Sequence, residues 1–195
     1  MIRKNTIIRK KQIIEASRTI IVKYGSENVT IRRIAEEVGI TEGAIYRHFK
    51  SKKEVLSGLA DFAIDSLLQD ISDLSSVKSG DPDTVTSLID KHLLDIEKRK
   101  GASFQVIAEI ISFGDKKLNK KIYDGINLYI DQLKQILTLH FAGRAKTEEI
   151  EAATFLLFSL IQGLVNVWTL SNYCFDLHER YLSVWNMYNK RILMA

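Results

Sequence analysis

The chain has 195 residues, 46% hydrophobic and 27% charged, with a mean hydropathy near zero, the balance of a globular protein with a sizeable core. A single cysteine, Cys174, excludes an intramolecular disulfide framework and a cysteine-cluster zinc site, and His48, His92, His140 and His178 lack metal-ligand spacing. The net charge of +4 is unevenly spread: residues 1–60 carry thirteen Lys/Arg against six Asp/Glu, and residues 61–195 fifteen against eighteen.

A basic front on a slightly acidic remainder suits a nucleic-acid-binding head on a different body, and equally a solvated basic face with no partner. The one proline, Pro82, and the long apolar-periodic stretches predict an all-α protein of about nine helices. Three short helices are expected in the basic head, followed by six mostly longer ones. No apolar stretch follows the charged start, so no secretory leader is expected, and the reducing cytoplasm is the natural compartment.

Residues 1–11 form a basic lead-in with Arg3, Lys4, Arg9, Lys10 and Lys11. Ile13, Ile14, Ala16, Ile20, Ile21 and Tyr24, with small Ser17 among them, then fall on one helix face that Gly25 closes. Thr30 is placed to cap a second helix with Ile31, Ile34, Ala35 and Val38 facing inward, and Gly39 ends it. Ile45 and Phe49 anchor a third. Ser51 and Glu54 have capping-box spacing, so a fourth helix starts there and runs through Val55, Leu56, Leu59, Ala60, Phe62, Ala63, Leu67 and Ile71.

Residues 75–83 read as a loop. Helical periodicity resumes over residues 85–97 and 104–113, with Gly101 and Gly114 as breaks, and then from Leu118 through Ile122, Tyr129, Leu133 and Leu137 to Phe141. Thr147 is expected to cap the next helix. Residues 152–175 hold no charge and are long enough to span a bilayer. Gln162, Asn166, Asn172 and several hydroxyls, with no strong basic flank, favour burial in protein instead. Asp176 and Glu179 open a last helix through Tyr181, Val184, Trp185, Tyr188 and Ile192.

Residues 30–52 carry the most chemical information. A helix-turn-helix needs a small residue where its helices touch, a turn residue that accepts positive φ, and apolar anchors on both helices. Ala35, Gly39 and the set Ile34, Val38, Ile40, Ile45 and Phe49 meet these needs in register. With Ile45 and Phe49 turned to the core, a helical wheel puts Gly43, Arg47 and Lys50 outward and Tyr46 on the flank. Arg47 can reach a guanine edge or a phosphate, and Tyr46 can donate to phosphate. Lys52, at the start of the next helix, suits a phosphate. A three-helix packing module with a solvated basic face satisfies the same pattern.

Residues 9–59 resemble the DNA-binding domain of the TetR family of transcriptional regulators. The resemblance rests on Ile13-Ile14-x-Ala16, Tyr24-Gly25, Val29-Thr30-Ile31-x-x-Ile34-Ala35-x-x-Val38-Gly39 and Gly43-x-Ile45-Tyr46-x-His48-Phe49-x-Ser51-Lys52-x-x-Val55-Leu56. Ser17 stands where the family often has alanine. The resemblance implies that Thr30, Thr41, Tyr46, His48 and Lys52 contact the DNA backbone, and that Gly43, Ala44 and Arg47 lie where bases are read. Glu42 departs from the neutral or basic residue usual there, and an acid can accept from a cytosine amine or exclude some sequences. His48 has an alternative role as packing between helices.

The resemblance further implies a helix-turn-helix domain over residues 1–50 and a helical effector-binding and dimerisation domain over residues 51–195. The last two helices of each subunit would pair into a four-helix interface, where Gly163 permits close approach or is simply tolerated. Phe62, Phe104, Phe113, Tyr123, Tyr129, Phe158 and Trp168 become candidates for lining an effector pocket, although each also serves as plain core. Gln162 and Asn166, one turn apart, are candidate polar contacts to the effector or across the dimer.

The function expected is a repressor that, as a homodimer, binds a palindromic double-stranded operator and is released by a small, mainly hydrophobic effector. No catalytic set, phosphate loop, metal or other cofactor is expected, and no membrane partner. The alternative is a helical interaction module whose basic head contacts protein or lipid.

Overall fold

The computed structural model describes residues 2–75 and 82–193. Among the described residues there are nine α-helices, one 3-10 turn and no strand, as the all-α reading expects. In chain order they are α1 (Ile2–Tyr24), the 3-10 turn (Ser26–Asn28), α2 (Ile31–Val38), α3 (Glu42–Tyr46), α4 (Lys52–Ser75), α5 (Pro82–Lys98), α6 (Ala102–Ser112), α7 (Lys116–His140), α8 (Thr147–Leu170) and α9 (Leu177–Leu193).

Four local expectations need adjustment. The first helix is not short: it takes in the basic lead-in and runs for 23 residues. Lys, Arg, Gln and Ile without Gly or Pro let the helix propagate backwards at little cost. The loop read over residues 75–83 falls mainly on residues 76–81, outside the described residues, while Pro82 opens α5, where a missing N–H costs nothing. Thr147 is the first residue of α8 rather than its cap, and the Glu149 carboxylate accepts from the Lys146 N–H at 2.7 Å. At α4 the Ser51 hydroxyl accepts from the Glu54 N–H (3.2 Å), but the Glu54 carboxylate reaches the Lys50 N–H (2.6 Å) rather than that of Ser51.

Packing divides the chain into two compact units that do not follow chain order. The first comprises residues 1–65 and 105–123. Its interior is aliphatic, with Ile13 and Ile20 of α1, Ile34 of α2, Ile45 of α3 and Val55 and Leu59 of α4 fully buried. Ser17 is buried too, and its hydroxyl donates to the Ile13 carbonyl at 2.8 Å, so the small residue brings no unsatisfied group into the core. Val106, Ile107, Ile110, Leu118 and Ile122 join this unit. Polar bonds fasten them: Lys53 Nζ lies 2.5 Å from the Asp115 carboxylate, and Lys121 donates to Ser57 Oγ (2.8 Å) and Asp61 (2.6 Å).

The second unit comprises residues 66–104 and 124–195. Its core is richer in aromatics, with Phe104, Tyr129, Phe141, Tyr181 and Trp185 all buried. Gly101 turns α5 into α6 at φ 61°, and a Cβ there would lie 2.5 Å from Val165 Cγ1, so both backbone and packing demand glycine. Trp168 donates to the Phe175 carbonyl at 2.8 Å, and Asp176 accepts from the Glu179 N–H at 2.7 Å as the expected cap of α9.

Helix α8, which carries most of the uncharged stretch, is two-faced. Ile150, Ala153, Thr154, Leu157, Ile161, Val165 and Trp168 are buried, while Ala152, Phe155, Leu156, Ser159, Gly163, Asn166, Val167 and Leu170 form an exposed stripe. Its length and mean hydropathy of 1.6 would allow a membrane crossing. The burial of one face within the unit accounts for that apolar character along about a third of the apolar window.

Candidate nucleic-acid interface

The helix-turn-helix is built from local signals that each do identifiable work. Thr30, extended at φ −116°, accepts from the Arg33 N–H at 3.1 Å and caps α2. Gly39 ends α2 in the left-handed region at φ 73°, with its N–H bonded to Glu36 O (3.2 Å) and the Ile40 N–H to Ala35 O (2.9 Å). Thr41 then caps α3 by accepting from the Ala44 N–H at 3.2 Å. Ile45 and Phe49 are buried beneath it, which fixes the rotation of α3 about its axis.

That rotation turns Glu42, Gly43, Tyr46 and Arg47 outward, Tyr46 with 51% of its surface exposed. Ala44 is half-buried. Thr30 and Thr41 are exposed at the helix starts. A Cβ on Gly43 would meet nothing nearer than Thr41 Oγ1 at 4.0 Å, so internal packing does not require glycine there.

Lys50 is exposed, but not on a helix face as the wheel places it. The helix α3 spans only five residues, Arg47 forms its C-cap, and Lys50 lies in the turn before α4. A wheel extrapolates a period, and the period stops where the Lys50 N–H turns to the Glu54 carboxylate.

Lys52 and His48 are half-buried. The Lys52 ammonium stands 5.2 Å from the centre of the Phe113 ring, a cation–π distance that holds the side chain at the start of α4. His48 Nδ1 is buried and without a hydrogen-bond partner among the described residues. The neighbourhood also contains a residue that the motif reading missed. Arg33 donates to Asn28 Oδ1 at 2.5 Å and lies 4.1 Å from the Tyr24 ring, clamping the α1–α2 corner. Its value depends on three elements meeting, which no helical period reveals.

The candidate effector residues do not gather in one unit. Phe62 and Tyr123 belong to the first unit, and Phe104, Tyr129, Phe158, Gln162 and Asn166 to the second. Tyr123 is 65% exposed, Phe113 is exposed, and Phe104 and Trp168 are buried. Gln162 and Asn166 bond to each other at 3.1 Å on the α8 surface.

Tyr129 is where the second unit places internal polar chemistry. Its buried hydroxyl lies 2.6 Å from His92 Nε2, and the Phe158 ring meets it edge-on at 6.0 Å between centres. His92 is fully buried, with Nδ1 unpartnered among the described residues. Burial pushes its pKa down to about 4, against an upward pull from Asp95, with Arg99 adding to the depression, so the ring is neutral near pH 7. The period Ile89, His92, Leu93, Ile96 makes the burial of His92 legible, but its partner lies 37 positions away.

With this geometry in view, residues 13–59 match the family of bacterial regulatory proteins described as the tetR family. Along nearly the whole chain there is likeness to nucleoid occlusion factors SlmA. The Shewanella pealeana protein is 24% identical over 191 residues, 97% of each chain, and that of Shewanella amazonensis 26% identical over 200 residues, 100% of each. Among solved structures, the transcriptional regulator FadR from Bacillus subtilis, in complex with stearoyl-CoA, superposes with a TM-score of 0.73 at 21% identity, covering 91% of this chain and 96% of that one. The TetR family regulator PfmR from Thermus thermophilus gives 0.72 at 18% identity, covering 94% and 97%. These likenesses establish the fold along most of the chain.

Proposed function

We propose that this chain, whose residues 13–59 belong to the tetR family of bacterial regulatory proteins, is a homodimeric repressor that releases a palindromic operator when a small, mainly hydrophobic effector binds. The observation that carries the DNA reading is the outward face of α3. Arg47 supplies a fork for a guanine edge or a phosphate, Tyr46 a phenol for a phosphate, and Gly43 an open backbone that packing does not explain. Thr30, Thr41, His48, Lys50 and Lys52 fit contacts to the sugar-phosphate backbone, while Glu42 and Ala44 stand beside the base-reading face.

Residues 1–50 then form the DNA-binding domain, and residues 51–195 the effector-binding and dimerisation domain. The exposed stripe of α8 supports self-association, because Phe155, Leu156, Val167 and Leu170 recur at helical spacing around Gly163. Two copies are what a palindrome demands. The buried pair His92 and Tyr129, with Phe158 and Phe104 in the same unit, supports an aromatic-lined effector site, and the fatty-acyl ligand of the structurally similar FadR agrees in kind. Unbroken from Lys52 to Ser75, α4 is the element suited to carry effector binding to the recognition helices. Such a protein works where the chromosome is, in the cytoplasm.

The test is fluorescence anisotropy against DNA from immediately upstream of the gene, with a scrambled duplex and an Arg47→Ala/Tyr46→Phe variant at the same salt. Tight binding to the upstream duplex, weakened at least tenfold in the variant, is expected. Equal weak binding of wild type and variant to both duplexes sinks the reading for that site, and an unbiased DNA selection that then enriches no palindrome sinks it altogether. The full-length likeness to nucleoid occlusion factors favours a second reading, in which the bound protein acts at many chromosomal sites. Genome-wide occupancy spread over many loci, without changed transcription nearby, distinguishes it.

A further inference from the structure

Unit by unit, the charge asymmetry of the chain is the same as along the sequence, although the basic unit now takes in residues 105–123. Residues 1–65 and 105–123 together hold seventeen Lys/Arg against ten Asp/Glu, whereas the other unit holds eleven against fourteen. Four of the basic residues, Lys116, Lys117, Lys120 and Lys121, fall within six positions at the start of α7, which no DNA-binding motif includes.

The structure ties this segment to the first turn of α4. The Asp115 carboxylate lies 2.5 Å from Lys53 Nζ, and it also accepts from the N–H groups of Lys117 (3.0 Å) and Leu118 (3.1 Å). These bonds lower the pKa of Asp115 from its ordinary value, the Lys53 bond first. The Phe113 ring takes the Lys52 ammonium on its face, and Lys121 is tied to Ser57 and Asp61 one turn further on. Asp115 and Asp61 are therefore engaged, Asp61 with Lys121 of the run, and Lys120 is not without a partner. Lys116 and Lys117 are exposed, and neither has a salt-bridge partner among the described residues.

We infer that Lys116 and Lys117 extend the DNA-contacting surface, as sequence-independent phosphate contacts beyond those of α3 and the α4 start. The inference rests on the reading that Lys52 faces DNA. Successive Cα atoms are about 3.8 Å apart, and Asp115 touches Lys53, so even with both side chains extended the two ammonium groups lie within roughly 30 Å of that of Lys52. Duplex DNA carries one charge per roughly 1.7 Å of its axis, so a duplex against Lys52 presents several phosphates in that span. Asp115 caps the start of α7 through the Lys117 and Leu118 N–H groups, which sets the backbone from which the two side chains reach out.

The experiment is operator binding by anisotropy as a function of salt, with the full-length protein and a Lys116→Gln/Lys117→Gln variant. A control, Lys91→Gln/Lys146→Gln, removes the same charge from exposed positions of the other unit. Each lost phosphate contact lowers the slope of log K against log salt by about 0.9, so the variant should lose about 2 per bound protomer. It should also bind operator and scrambled duplex more weakly by the same factor, roughly tenfold at moderate salt, and the control should keep the wild-type slope. A variant slope equal to that of wild type overturns the inference, as does a control that falls equally. Failure of the wild-type protein to bind any duplex would instead overturn the DNA reading on which the inference rests.

Discussion

Arg47 and His92 illustrate two opposite ways in which one residue matters. Arg47 is exposed and gains its meaning from what approaches it, whereas His92 is sealed inside and gains its meaning from what cannot reach it. The folded pKa of about 4 lies below the unfolded value of about 6.5, so between those values the unfolded chain takes up a proton that the folded chain refuses. The contribution of His92 to stability is thus complete above pH 6.5 and is lost as pH falls toward 4. The full loss is about 3 kcal/mol, of which about 2 is gone by pH 5. Urea unfolding at pH 7 and pH 5 should show this loss in wild type and a shallower one in His92→Gln. Equal pH dependence in both would mean that His92 titrates normally.

Among elements, α2 and α3 are defined by their caps and α9 by its own. Helix α9 begins where the Asp176 carboxylate accepts from the Glu179 N–H, and the Leu177 N–H beside it donates to Glu97 Oε1 at 3.1 Å. Asp176→Ala should therefore cost about 1 kcal/mol of unfolding free energy, and Asp176→Ser should recover most of it. If the serine variant is as unstable as the alanine variant, the role of Asp176 is not capping. Capping signals made α2, α4 and α9 legible in the sequence. They failed at α8, where Thr147 looked like a cap and the chain instead enters the helix one residue earlier through Lys146 and Glu149. A wheel failed in the same way at Lys50, because a period read from residues 43–49 carries no information about where the helix stops.

For the whole molecule the exposed stripe of α8 is decisive. Leu170 is 84% exposed and Phe155 62%, an apolar load that a lone soluble chain gains nothing by presenting to water. Sedimentation at micromolar concentration should give a dimer, and Leu156→Glu/Val167→Arg should give a folded monomer with unchanged helical circular dichroism. On the proposed palindromic operator the monomer should also lose most of its affinity, since two half-sites would have to be met together. A wild-type monomer, or a variant that remains dimeric, would move self-association away from this face.

The sequence by itself determined the helical class, the positions of most helix starts, the buried faces of α1 and α2 apart from exposed Tyr24 and half-buried Val38, and the motif residues that turn outward on α3. These depend on local hydrogen bonds and a fixed helical period, which short windows contain. Only the tertiary structure decided that residues 105–123 pack with the N-terminal helices, that Asp115 joins Lys53, that His92 meets Tyr129, and that the chosen aromatics fall into two separate units. The two polar pairings span 37 and 62 positions of chain. They are set by which apolar faces exclude water together, and no window of the sequence specifies that.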